Sequence, residues 1–281
     1  MSPVMIIIRL TLREALRRKI VLAALLVGVG FLLVYSIGFY VVMQQVGTAV
    51  LSATPASIAR VEGQNFLVLA GLYTITFLSI AMGALLSADA LAGEISSGTI
   101  QSLVTKPVRR SHIVLGKWLG FAILLGSYLL LMGGGVVLTV LLQSGYTPPN
   151  LLAGLGLIYL EALLVMTVAL MCSSRFSALA TGAVVFGMYG LAFIGGWVEQ
   201  FGSFMQNETA VYVGILSSLI LPSESLWRRA SFEMESPLSG MMGMSPFGTI
   251  SVPSTLMIAY AAVYMLVALA VTLRTFAHRD L

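Results

Sequence analysis

Glu161 is the residue with most chemical potential in this chain. It lies ten residues into an apolar run, Leu151 to Met171, that carries no other charge. Burying a charge at the centre of a bilayer span costs on the order of 2.5–3.5 kcal/mol on insertion scales, so this carboxyl must face protein and find a partner or a proton. Two readings follow: a polar contact in a transport path or gate, or a hydrogen bond to Ser, Thr or Tyr on a neighbouring span. Met234, Met241, Met242 and Met244 form a second candidate group. Thioethers are soft ligands suited to Cu(I), yet no His or Cys joins them and methionine is also a common apolar filler. His112 and His278, the only histidines, fall at span ends and are expected to be solvated. Intramembrane catalysis needs a nucleophile with its base, facing carboxylates, or convergent metal ligands. One carboxyl in the apolar runs with no histidine beside it provides none of these, which argues against an enzyme.

The composition requires elements that live in lipid. Apolar residues make up 58% and charged residues 9% of 281, against about a quarter charged in a soluble domain. Mean hydropathy is +0.99. Several runs reach about the 20 residues that cross a ~30 Å hydrocarbon core, and they lack the alternation of an outer-membrane barrel. The net charge of +4 comes from basic residues flanking apolar runs, which points to topology rather than to nucleic acid. Cys172 is the single cysteine, so no disulfide framework exists.

In chain order, residues 5–19 place Ile8, Leu12, Ala15 and Leu16 on one helical face and Arg9, Arg13 and Arg17 on another. That pattern predicts an interfacial amphipathic helix, or at the least a basic flank that sets orientation. Six spans are expected at about 20–43, 66–88, 118–142, 151–171, 178–198 and 255–273, giving an all-α polytopic membrane protein with a single permease-like domain over 1–281. The first run is too long for a signal peptide and lacks a small-residue cleavage site, so it reads as a retained span. Gly133, Gly134 and Gly135 in the third span permit close helix approach or local unwinding. In the outer segment 199–254, residues 210–221 are too few to cross and suit a re-entrant or interfacial helix; the following stretch reads as amphipathic, with Trp227 at the interface.

Orientation follows from the cations. With a cytoplasmic N-terminus the inner segments hold Arg9, Arg13, Arg17, Arg18, Lys19, Lys106, Arg109, Arg110, Lys117, Arg175, Arg274 and Arg279, and the outer segments only Arg60, Arg228 and Arg229. That bias puts both termini in the cytoplasm.

The loop 89–117, between spans two and three, is then cytoplasmic. Ser97-Gly98 breaks the helix leaving span two, Thr99 can cap a short helix over 100–105, and Lys106-Pro107 ends it. Ser111 can cap the helix entering span three. The loop suits docking on another protein; a basic stretch held by anionic membrane lipid is the plainer alternative. Its residues, Glu94-Ile-Ser-Ser-Gly98-Thr99-Ile-Gln-Ser-Leu103, then Lys106-Pro107-Val-Arg109-Arg110 and Leu115-Gly116-Lys117, resemble the loop of ABC-2 type transporter permeases. The resemblance extends over nearly the whole chain and is strongest with the single-domain bacterial branch that includes the copper-maturation permease of nitrous oxide reductase. That branch serves many substrates, so none is carried over.

The resemblance implies a coupling helix seated in a cleft of a separate ATP-binding cassette subunit, with Glu94, Gly98, Thr99, Leu103, Lys106, Pro107, Arg109 and Arg110 as its coupling residues. It also implies re-entrant helices in the last outer loop, and a second permease chain, identical or homologous. The chain has no GxxxxGK[ST] phosphate loop, because Ser111 stands where the first glycine is required and Trp118 follows Gly116-Lys117. ATP and Mg therefore belong on the partner, and no cofactor, metal or nucleic acid is expected on this chain. The expected setting is the cytoplasmic membrane of a prokaryote, with export favoured over import. A channel or scaffold uncoupled from ATP would account for the spans but leave the loop idle.

Overall fold

The computed structural model of the chain describes residues 3–49, 56–93, 109–236 and 251–278. Within these the regular structure is helical, with no strands. In hydrocarbon every backbone N–H and C=O must be satisfied within its own segment, and the helix does this.

The helices are α1 (Pro3–Arg17), α2 (Lys19–Ala49), α3 (Ala56–Ala88), α4 (Arg110–Ser144), α5 (Leu151–Ser173), α6 (Ala178–Phe204), α7 (Glu208–Ile220), α8 (Ser223–Met234) and α9 (Thr255–Ala277). Six of them, α2, α3, α4, α5, α6 and α9, are long and apolar enough to span a membrane. The shortest of these, at 23 residues, reaches about 35 Å at 1.5 Å per residue, enough to cross with some tilt.

Burial ranks them. In α5, 67% of the apolar window is buried, against 11% in α2 and 17% in α9. The bundle is thus built around α5, which packs against α3, α8, α9 and α6, while α2 and α9 show apolar side chains such as Val34 and Leu256 to the outside.

Small residues set the closest approaches. A Cβ added at Gly116 of α4 would lie 2.6 Å from Ile7 Cβ, and one at Gly120 would lie 2.9 Å from Thr11 Cβ. This glycine notch, four residues in period, lets α1 lie against α4. The face α1 buries is Ile7, Thr11 and Ala15; Ile8 and Leu12 are half-buried and Leu16 is exposed, so the seam sits about one position from the one its hydrophobic pattern predicts. Gly135 receives Leu32 of α2, with 2.8 Å between its would-be Cβ and Leu32 Cδ1. Of the two uses expected for the glycine triplet, close approach is the one made, and α4 stays helical through it.

Several boundaries differ from expectation. α4 starts at Arg110, eight residues before the predicted span, with Arg109 as an N-cap that makes no side-chain hydrogen bond; Ser111 is inside the helix and is not its cap. α3 begins at Ala56, within what reads as a polar connection, and its Asn65 is buried. The Asn65 amide donates to Met234 O at 2.8 Å and to Tyr146 Oη at 2.9 Å, joining α3 to the end of α8. α6 continues to Phe204, so Glu199 is in a helix and not in a loop.

Pro222 lies in the break between α7 and α8, which meet at a bend of 106°. α7 folds back along α6 through Gly195, Gly202 and Gly214, where side chains would collide. α8 is buried over most of its surface, and Trp227 is not at an interface: it is 3% exposed, its ring 4.8 Å from that of Tyr73 on α3.

Candidate functional site

Two sites stand out, one at each side of the bundle. The first is the root of the loop that joins α3 to α4. Immediately after α3, Ser173 at the end of α5 accepts hydrogen bonds from the Leu91 and Ala92 N–H groups (3.2 and 3.1 Å) and donates to Ala88 O (2.9 Å). Lys117 of α4, 5% exposed, donates from Nζ to Ala90 O at 2.6 Å. A loop that leaves a helix exposes carbonyls and amides with no intrahelical partner; here two other spans satisfy them.

Arg18, at the junction of α1 and α2, bridges Glu14 at 2.6 Å and Asp89 at the loop root. Burial works against its charge, but the hydrogen bonds to Glu14 and Asp89 outweigh burial and raise its pKa above the ordinary value. Exposed ion pairs contribute little energy, so this one matters for position more than for stability. On the far side of the loop Arg110 donates to Ala277 O of α9 at 3.3 Å. The loop is therefore fastened at its ends to the α1–α2 junction, α4, α5 and α9.

The second site is a buried polar cluster where α3, α5, α6 and α8 meet. Arg228 of α8 donates from Nη2 to Glu199 Oε2 at 2.8 Å, and its Nη1 lies 2.7 Å from Oε1. Both side chains are almost fully buried, and Ser251 Oγ donates to Glu199 Oε1 at 2.9 Å. Glu224, one turn before Arg228 on α8, shares its field with Glu199 and Arg228. Glu161 of α5 lies within the electrostatic reach of Glu224. Tyr73 and Tyr189 close the cluster from α3 and α6, and Trp197 donates to the Tyr73 hydroxyl.

Of the residues singled out by sequence, Glu94, Gly98, Thr99, Leu103, Lys106 and Pro107 lie outside the described residues. Arg109 is exposed at the start of α4, and Arg110 is half-buried in its first turn. Glu161 is 1% exposed, and its Oε2 makes no hydrogen bond among the described residues, so that oxygen does not form the expected bond to a neighbouring hydroxyl. His112 is half-buried, with a buried Nδ1, while His278 is exposed. Met234 packs in the core against Gly154 as an apolar filler; Met241, Met242 and Met244 fall outside the described residues.

Glu161 is not the lone ionisable group in the bundle, because Lys117, Glu199, Glu224 and Arg228 are buried too. The i, i+4 spacing of Glu224 and Arg228 puts both on one helical face, and that was the available signal. It is masked by the serines and second arginine around it, which make the segment read as a surface helix.

The chain belongs to the ABC-2 transporter family: residues 5–281 match the family described as "ABC-2 family transporter protein". The class is thus a multi-pass membrane component of an ABC transporter. Among relatives, the chain is 27% identical over 230 residues to the probable ABC transporter permease protein NosY of Pseudomonas aeruginosa, covering 80% of this chain and 78% of that one. It is 30% identical over 148 residues to the protein of the same description from Stutzerimonas stutzeri, covering 50% of this chain and 47% of the relative.

Proposed function

We propose that this chain is the membrane-spanning permease subunit of an ATP-driven exporter. The loop between α3 and α4 enters a cleft on a separate ATP-binding cassette subunit. ATP and Mg are bound and hydrolysed there, and this chain does no enzymatic chemistry of its own. Two permease chains, identical or homologous, pair with two such subunits in the cytoplasmic membrane of a prokaryote, with both termini in the cytoplasm. The segments α7 and α8, folded back at Pro222, act as a re-entrant pair on the outer side.

The observation that carries this reading is the fastening of the loop at its ends. Ser173, Lys117, Arg18 and Arg110 connect it to the α1–α2 junction and to three spans. A push on an untethered loop would dissipate in backbone rotations. A push on this one reaches the ends of α4, α5 and α9 together, which is what a rigid-body switch between inward-open and outward-open states requires. Family membership and the excess of cations on the loop side support the same assignment.

Charge reversal at Arg109 and Arg110, or replacement of Gly98 and Thr99, tests it. The expected result is normal insertion and normal ATP hydrolysis by the partner. The ATP-driven change in distance between spin labels at the exposed positions of Leu152 and Leu256 should be lost. Variants that keep that movement would reduce the loop to a basic stretch that only sets topology.

A further inference from the structure

Three spans end around one recess. The turn between α5 and α6 and the last turn of α9 border an open recess of about 420 Å³, lined by Ser174, Arg175, Thr275 and His278. α5 ends at Ser173, α6 starts at Ala178 and α9 ends at Ala277, and all three are apolar enough to span a membrane. The recess therefore lies where the bundle meets the membrane surface.

Its lining is cationic and rich in donors. Arg175 and His278 are exposed, and neither forms an ion pair among the described residues. The Thr275 hydroxyl is half-buried and makes no hydrogen bond among the described residues. The Ser174 hydroxyl donates to Met171 O at 2.7 Å. No carboxylate lines the recess among the described residues. A guanidinium offers a fork of N–H donors that matches phosphate oxygens, and an imidazole keeps at least one N–H donor in either protonation state.

The surroundings decide which anion fits. Phe176 and Leu179, beside Arg175, are exposed, and so are Val271 and Val267, one and two turns before Thr275 on α9. A soluble anion would use the donors alone. A phospholipid uses both features, its phosphate on the donors and its acyl chains along the apolar side chains.

We propose that this recess is a binding site for an anionic phospholipid, with the phosphate seated between Arg175, Thr275 and His278. Basic pockets between spans at a membrane surface suit anionic headgroups. A choline lipid brings its own ammonium beside the phosphate, so an unpaired arginine favours the lipid that lacks one. The site also adjoins the loop root. Ser173, one residue before the recess, accepts from Leu91 and Ala92, and Ala277, one residue before His278, accepts from Arg110. A bound headgroup ties the α5–α6 turn to the end of α9 beside these two fastenings. The site itself does not depend on what the loop docks onto.

The test is photo-crosslinking of the full-length chain in nanodiscs of mixed phosphatidylglycerol and phosphatidylcholine. One lipid at a time carries a diazirine on its acyl chain, and the labelled residues are mapped by mass spectrometry. Phosphatidylglycerol should label Phe176–Leu179 and Val267–Thr275 in clear excess over phosphatidylcholine. Arg175→Gln should lower that excess about fivefold, the step expected for one basic side chain at a membrane surface. Arg13→Gln, at an exposed arginine of α1, should leave it unchanged, as should excess inorganic phosphate. Equal labelling of the wild type by both lipids overturns the proposal, and needs no variant to fold. An excess that survives Arg175→Gln, or falls equally in Arg13→Gln, replaces the site with general surface attraction. Loss of the excess on adding phosphate makes the recess a seat for soluble anions and overturns the lipid assignment. None of these readouts requires transport or an ATPase subunit, so their failure leaves the docking assignment untouched.

Discussion

Arg228→Ala should prevent the chain from accumulating as a monodisperse membrane protein. The substitution leaves Glu199, 5% exposed at its side chain, without the guanidinium 2.7 Å away, and also removes the positive charge whose field favours the ionised form of Glu224. Removing one member of a buried ion pair costs about 3–5 kcal/mol, because the remaining charge stays desolvated. Against a total stability of about 5–15 kcal/mol, that is a large fraction. Fluorescence-detected size exclusion after mild solubilisation reads the outcome directly. The double variant Arg228→Met with Glu199→Met should recover much of the loss, because it removes the orphaned charge together with its partner. Arg228→Lys should recover little, since an ammonium cannot make the two-point contact to both oxygens. Equal behaviour of single and double variants would mean that the pair is not what holds α8 against α6.

The second large effect is expected at the loop root. Ser173→Ala removes one acceptor for two buried N–H groups and one donor to Ala88 O. Each buried group left unsatisfied costs about 1–3 kcal/mol. Lys117→Met adds loss of the 2.6 Å bond to Ala90 O. The damage is local: the spans remain apolar and correctly ordered, so insertion should be normal. What should fail is the transfer of movement. We expect the double variant to keep partner ATP hydrolysis while the nucleotide-driven distance change between labels at Leu152 and Leu256 falls to a small fraction of wild type. An unchanged response would show that the root is a passive join.

Much of the architecture is legible in the sequence because lipid enforces a simple rule. Every apolar run of about 20 residues must be a helix, so the six spans follow from hydropathy alone. The polar interior is less legible. Glu161 stands out because its neighbours are apolar, whereas Glu199 is hidden by Gln200 at what looks like the end of a span. The helix runs on past it to Phe204. Arg228 reads as an outer cation because hydropathy has no information about folding back. Only the bend at Pro222, with Gly195 and Gly214 allowing α7 to lie against α6, brings α8 into the core. The seat of α1 depends in the same way on Gly116 and Gly120, whose role appears only when Ile7 and Thr11 are placed over them.

The most direct test of the central assignment is purification of the chain from its native membrane in mild detergent. An ATP-binding cassette subunit and its ATPase activity should co-purify with it in equal number, two of each per complex. A chain that purifies alone, with no bound ATPase under conditions that preserve its fold, would contradict it.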